Sequence, residues 1–367
     1  MNIAIIGTVG VPARYGGFET LAEQLAVGIN PAQHRLLIYC QRSAYPELET
    51  ASPFAGHRRV LLPLRANGGA SMLHDMLAMA HAAFWARTDA LLILGYSGAW
   101  FLPVIRLLRP RARIVTNIDG MEWRRDKFGS NVRAVLRTLE WFATRFSHVI
   151  IADNAALVDL ARELHDIEPR LIAYGGDHTL VDPEPFRYIP PGYALSIARI
   201  EPENNCAMIL KAFAESGAPL VFVGNWSAST YGSALKERYA GIPNLLMIDP
   251  VYEVSKLAHL RKHAACYIHG HSVGGTNPSL VEALFHTNRI LAYDCAFNRA
   301  TLHDQGSYFE SACDLEAMIG RPETGIIPEL EIGKLRCKYR WQQVINEYLE
   351  TITEEATSDH LTEPNIE

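Results

Sequence analysis

"GTVGVPARYGGFETLAEQLA" runs from Gly7 to Ala26, directly after the apolar run Ile3-Ala4-Ile5-Ile6. Gly7, Gly10, Gly16 and Gly17 separate a strand-like opening from a segment with helical apolar spacing. Glycine permits φ > 0 and a close approach of backbone to a ligand, at an entropic cost. A strand, a glycine loop and a helix start together present bare N–H groups and a positive dipole end, which suits a phosphate or a sugar phosphate. The loop alone leaves open which of these it takes. It does predict a βα unit, and hence a sheet with helices packed on it.

Outward from this unit the same alternation continues. Strands are expected at 2–6, 35–40, 59–63, 90–94, 112–117 and 148–151, and helices at 18–29, 70–86, 98–108, 130–146 and 155–164. Such alternation predicts a parallel sheet covered on both faces. The stretch "YGGDHTLVDPEPFRYIPPGY", Tyr174 to Tyr193, is rich in Gly and Pro and lacks a helical period, so it reads as a linker. The pattern then restarts, with strands at 194–198, 219–223, 244–248, 265–269 and 289–293 and helices at 205–215, 231–240, 253–262 and 278–287. The expected class is α/β, with two doubly wound Rossmann-like domains facing a central cleft. The expected division is 1–175, a linker at 176–192, a second domain at 193–330, one closing helix at 331–356 and a disordered tail at 357–367.

Bulk properties agree with this plan. A chain of 367 residues exceeds one ordinary core, and 49% hydrophobic with 20% charged residues is a globular composition. A net charge of −6 argues against a general nucleic-acid binder. Six scattered cysteines without a C-x-x-C pair point to reduced thiols and not to a disulfide framework or zinc site. No basic n-region opens the chain, and the most apolar stretch, Ala90 to Leu108, is broken by Gly95, Gly98 and Pro103. The expectation is a soluble cytoplasmic protein, at most peripheral to a membrane.

A second glycine cluster, "HGHSVGGTNPSLVEALF" (His269–Phe285), also lies between a strand and a helix start. Asn277 as N-cap and Pro278 in the first turn mark that start, and Gly274-Gly275-Thr276 lie just ahead of it. Glu282, one turn in, is placed to accept from sugar hydroxyls while the amides hold a phosphate; it is otherwise a dipole-favoured surface residue. In "SIARIEPENN" (Ser196–Asn205), Arg199 ends a strand and suits a diphosphate clamp, against a surface ion pair to Glu201 or Glu203. In "VTNIDGMEWRRDKF" (Val115–Phe128), Asp119 ends a strand ahead of Gly120 and is placed to touch an acceptor hydroxyl, whereas Asn117 or Asp119 would otherwise cap the loop. Arg124, Arg125, Lys127, Arg133, Arg137 and Arg145 surround a helix carrying Val135, Leu136, Leu139, Trp141 and Phe142. That basic amphipathic face is either simply solvated or rests on anionic lipid. There is no G-x-G-x-x-G in the first loop, no G-x-x-x-x-G-K-[ST], no G-x-S-x-G and no convincing metal constellation.

With these residues in view, the chain resembles retaining family 4 glycosyltransferases of GT-B fold. More narrowly, "GTVGVPARYGGFET", "NIDGMEW", "ARIEPENN" and "HGHSVGGTNPSLVEA" are similar to a bacterial subgroup of polysaccharide-assembly enzymes called rhamnosyltransferases. The resemblance covers nearly the whole chain. It implies donor contacts from Gly16, Gly17, Arg199, Asn204, Gly274, Gly275, Thr276, Asn277, Ser279 and Glu282, with Glu282 on the nucleotide ribose. It implies acceptor contacts from Tyr15, Glu19, Asp119 and Glu122, with Asp119, Arg199 and Glu282 as the catalytic set. Two positions depart from the family pattern: Gly274 stands where its first Glu is expected, and Asn204 where a Lys is expected.

The implied reaction is retaining transfer from a nucleotide-diphosphate sugar, best dTDP-rhamnose, to a lipid-linked or oligosaccharide acceptor at the cytoplasmic membrane face. The setting would be capsule, O-antigen or exopolysaccharide synthesis, with no metal or other cofactor. A GT-B nucleotide-sugar epimerase, a non-catalytic glycan- or nucleotide-binding scaffold and a nicotinamide oxidoreductase are the competing readings; the last lacks its dinucleotide fingerprint.

Overall fold

The structure, a computed structural model, describes residues 1–14, 16–47, 52–118, 120, 123, 128–186 and 189–354. Its first sheet contains β1 (Asn2–Ile6), β2 (Arg35–Gln41), β3 (Arg58–Leu62), β4 (Ala90–Leu94), β5 (Arg113–Ile118), β6 (Val149–Ala152) and β7 (Arg170–Leu171). They lie in the order β3-β2-β1-β4-β5-β6-β7, every pair parallel. Strands such as Ile3–Ile6 and Ala90–Leu94 are apolar at every position because helices cover both faces. Those helices are α1 (Gly17–Gly28), α2 (Ser71–Ala80), α3 (Leu102–Leu108), α4 (Ser130–Phe146) and α5 (Ala155–His165).

The second sheet joins β8 (Tyr193–Ile197), β9 (Leu220–Val223), β10 (Leu245–Ile248), β11 (Ala264–His269), β12 (Ile290–Tyr293) and β13 (Ser307–Phe309). Their order is β10-β9-β8-β11-β12-β13, again all parallel. Helices α6 (Cys206–Ser216), α7 (Thr230–Arg238), α8 (Val254–His263), α9 (Pro278–Leu284), α10 (Ala296–Leu302) and α11 (Ala312–Ile319) accompany it. The winding of each sheet reverses beside its first strand, between β1 and β4 and between β8 and β11. Ligands of such sheets bind outside the carboxyl ends at that reversal. The chain places the Gly7 loop at the end of β1 and Arg199 just past the end of β8. Gly7 itself has φ +92°, and a Cβ there would stand 2.0 Å from the Leu94 carbonyl oxygen, so the loop leaves β1 hard against β4.

The structure corrects the single closing helix expected at 331–356. Two helices occur, α12 (Glu329–Lys338) and α13 (Trp341–Thr353). Tyr339 is buried in the core of the second sheet and donates to the Thr301 carbonyl at 2.7 Å, whereas Trp341 is buried under the first sheet. The two aromatic residues need opposite cores, so the helix breaks between them without a Gly or Pro. Four short elements were not expected from the sequence: β7, α10, β13 and α11. The residues expected to form the tail lie outside the described residues. The cysteines are all unpaired. Among the described residues no helix is long and apolar enough to cross a membrane.

Candidate functional site

Arg199 is exposed just past β8, and among the described residues its guanidinium has no partner. Neither Glu201 nor Glu203 pairs with it, so the surface ion pair is not formed. Its backbone is fixed instead: Asn204 Nδ2 donates to the Arg199 carbonyl at 2.7 Å, and Asn204 Oδ1 lies 2.6 Å from His271 Nδ1. Asn204 is buried, and both of its polar atoms lace the Arg199 loop to the loop after β11. Ser272 adds two bonds to the Glu203 carbonyl, from its amide at 3.0 Å and its hydroxyl at 2.7 Å. Arg199 therefore sits on a rigid mount with a free head.

The two glycine loops face each other across the cleft. A Cβ on Gly17 would stand 3.2 Å from Pro278, and one on Gly120 would stand 3.2 Å from the Gly274 Cα. Gly16 precedes α1 without a side-chain cap. Glu19 turns back into the loop and accepts from the Arg14 amide at 3.0 Å. Asn277 caps α9, accepting from the Ser279 amide at 3.0 Å and the Ser279 hydroxyl at 2.8 Å. Thr276 is buried, and its amide and hydroxyl both go to Asp153 of the first domain. Tyr15, Asp119 and Glu122 lie outside the described residues, as do Arg124, Arg125 and Lys127.

Glu282 does not stand alone. Arg261 of α8 donates from Nη2 to Glu282 Oε2, and His178 Nε2 lies 3.6 Å from Glu282 Oε1. Burial pushes the Glu282 carboxyl up, and the Arg261 guanidinium pulls it back only in part. Burial, aided by Arg261, holds His178 down to about 4, and His286 is held down to about 4 for the same reasons with Arg336 added. Arg261 is 3% exposed, and its Nε and Nη1 have no hydrogen-bond partner among the described residues. A buried guanidinium with unmatched donors is costly to leave so. From the linker, His178 accepts from Trp341 Nε1 at 2.9 Å and Asp177 from the Trp341 amide at 2.8 Å, tying the pair to α13.

Sequence reasoning missed Arg261 and Asp153. Asp153 carries the signal that singled out Asp119, a carboxylate closing an apolar strand. Arg261 carries none, since a basic residue in the last turn of a helix is ordinary.

A groove of about 700 Å³ lies along α4, lined by Trp123, Arg133, Arg137 and Trp141 among others. Glu140 anchors α4 from below, accepting from Trp123 Nε1 at 3.0 Å and lying 2.6 Å from His165 Nε2. Val132, Val135 and Trp141 are exposed.

Residues 1–177 match a family described as a domain of unknown function (DUF1972). No curated protein sequence matches the chain. Solved structures do match. Sucrose-phosphate synthase from Thermosynechococcus elongatus superposes with a TM-score of 0.79 at 12% identity, over 95% of this chain and 98% of that one. The fold is GT-B. Anabaena HepE, in complex with UDP and glucose, superposes with a TM-score of 0.70 at 13% identity, over 96% of this chain and 99% of its own. A putative UDP-N-acetylglucosamine 2-epimerase from Listeria monocytogenes has the same architecture, with a TM-score of 0.62, 11% identity and coverage of 96% and 95%. In this fold Arg199 lies just past the first strand of the second sheet, and the Gly7–Gly17 loop just past the first strand of the first sheet.

Proposed function

We propose that this protein is a retaining glycosyltransferase that moves a sugar from a nucleotide-diphosphate donor to an acceptor hydroxyl. The observation that carries this reading is the exposed, unpaired Arg199 guanidinium on its fixed mount just past β8. As the bond from the sugar's anomeric carbon to the diphosphate oxygen breaks, negative charge grows on the leaving group, and a preorganised cation stabilises it there. The acceptor oxygen attacks on the face the diphosphate leaves, and its proton passes to the departing phosphate. Arg199 holds the diphosphate, Glu282 the nucleotide ribose, and Asp119 orients the acceptor; the step as written uses no metal or other cofactor.

The preferred donor is dTDP-rhamnose. A deoxy sugar presents fewer hydroxyls, which suits a loop with Gly274 where the resembling family has a carboxylate. The preferred acceptor is a lipid-linked saccharide at the cytoplasmic membrane face. Supporting that surface, α4 exposes Trp141 beside Arg137 and Arg145, and α3 next to it exposes Leu107 and Leu108.

The test is binding and turnover with dTDP-rhamnose, UDP-glucose, UDP-N-acetylglucosamine and GDP-mannose, each with a lipid-diphosphate saccharide acceptor. Transfer from dTDP-rhamnose supports the full reading. Transfer from another donor keeps the reaction and removes the rhamnosyl assignment. Conversion of the donor without any acceptor favours the epimerase reading, which the Listeria likeness keeps in play at the level of fold.

A further inference from the structure

Gly274, Gly275 and Thr276 read in the sequence as a cradle for a ligand, but the group lying in that cradle is a side chain of the first domain. A Cβ on Gly275 would stand 2.1 Å from Asp153 Oδ1 and 2.9 Å from its Cγ. The Thr276 amide donates to Asp153 Oδ1 at 3.1 Å, and the Thr276 hydroxyl donates to the Asp153 carbonyl at 2.6 Å. The neighbouring residue works in both domains at once. Asn154 Oδ1 caps α5 by accepting from the Ala156 amide at 3.0 Å. Its Nδ2 reaches across to the Phe297 carbonyl and Thr301 Oγ1, each at 3.1 Å, and to Thr276 Oγ1 at 3.3 Å. Asn154, Thr276 and Thr301 are all buried.

We propose that Asp153 and Asn154 are positioning residues that dock the Gly274–Thr276 loop on the first domain, so that this loop fastens the closed cleft instead of contacting the donor. The proposal rests on the reading of the cleft as a donor site. A carboxylate on a backbone amide is a charge-assisted bond, and the seam's buried donors and acceptors lose their partners if the domains part. Gly275 is glycine because Asp153 needs the space a Cβ would fill. Arg199 and Glu282 both belong to the second domain and bind the nucleotide without help from the seam. Transfer also needs the first domain's acceptor side, and therefore needs the seam closed.

The experiment uses the full chain with Asp153→Ala, Thr276→Val and Gly275→Ala, made singly, plus the Asp153→Ala/Gly275→Ala double. Measured are the radius of gyration in solution, Kd for the donor that the panel identifies, and kcat. The expected result is a larger radius, a kcat lowered by about tenfold or more, and a donor Kd changed by less than about twofold. The double is no worse than the poorer single, because both remove one contact. Asp153→Asn keeps an oxygen for the Thr276 amide and restores most of kcat, which a merely space-filling Asp153 would not require. A donor Kd that weakens in step with kcat, at unchanged radius, overturns the proposal and makes the loop a ligand cradle. Unchanged radius and kcat in all three singles overturns it as well. If the parent binds no nucleotide sugar, the donor reading falls, and the radius comparison by itself decides the seam.

Discussion

At the scale of single residues, Arg199 and Arg261 make opposite predictions. Arg199 is exposed and unpaired, so Arg199→Ala should shift stability by no more than ~0.5 kcal/mol while lowering kcat/KM by roughly 100-fold. Unfolding curves and donor kinetics on the same sample check both halves. Arg261 is buried against Glu282, so Arg261→Met leaves a carboxylate without its counter-charge and should cost about 3 kcal/mol in urea unfolding. Adding Glu282→Gln should recover part of that loss, and no recovery would show that the pair is not what Arg261 stabilises. The histidines set the acid limit. His148, His178 and His286 are each held down to about 4, chiefly by burial. A depressed imidazole binds its proton more weakly in the folded chain than in the unfolded one. Its contribution to stability is therefore whole above the ordinary imidazole value of 6.5 and is lost as pH falls toward 4. Glu282, raised by burial, works in the other sense and favours the folded chain at lower pH. Among the described residues eight histidines in all are lowered, chiefly by burial, against two raised carboxylates, Glu23 and Glu282, so the melting temperature should fall steadily as pH drops from about 6.5 to 4.5, and His178→Gln should flatten part of that slope. A flat profile would contradict the burial of these rings.

At the scale of elements, the parallel strands were legible because burial on both faces makes them nearly continuous apolar runs, and the longer helices because their apolar residues recur at helical spacing. The break between α12 and α13 was not, since Tyr339 and Arg340 carry no breaker chemistry. Only the presence of two cores, each claiming one aromatic side chain, places it. Helix α4 is the element whose outer face has work left to explain. Its exposed Trp141 beside Arg137 and Arg145 predicts binding to vesicles containing anionic lipid. Reversing both arginines to Glu should weaken that binding by roughly tenfold or more, at ~1 kcal/mol per basic residue. A parent protein that fails to sediment with such vesicles would make the face an ordinary solvated one.

At the scale of the molecule, the last described helix returns to the first domain. Trp341, Val344, Ile345, Tyr348 and Ile352 of α13 are buried in one core of the first sheet, and Arg113 Nε donates to the Thr351 carbonyl at 2.9 Å. Each such side chain contributes ~1.5–3 kcal/mol, so together they approach or exceed the whole margin of an ordinary domain. A fragment of residues 1–177, the extent of the matching domain family, should therefore bind hydrophobic dye and lack a cooperative melt. Cooperative unfolding of that fragment at the temperature of the full chain would show α13 to be dispensable.

The sequence by itself determined two βα arrays, with a glycine loop just past the first strand of one sheet and an arginine just past the first strand of the other. All of these are local, fixed by continuous apolar runs in the strands, by the 3.6-residue period of the helices and by glycine's freedom at a strand end. The tertiary structure alone decided what each loop residue touches. Thr276 and Asp153 are 123 positions apart, and Arg261 and Glu282 lie on different helices. No local period records such a pair. They meet only because two sheets and their helices pack with one geometry, and buried polar groups must then take the partners that packing brings within hydrogen-bond reach.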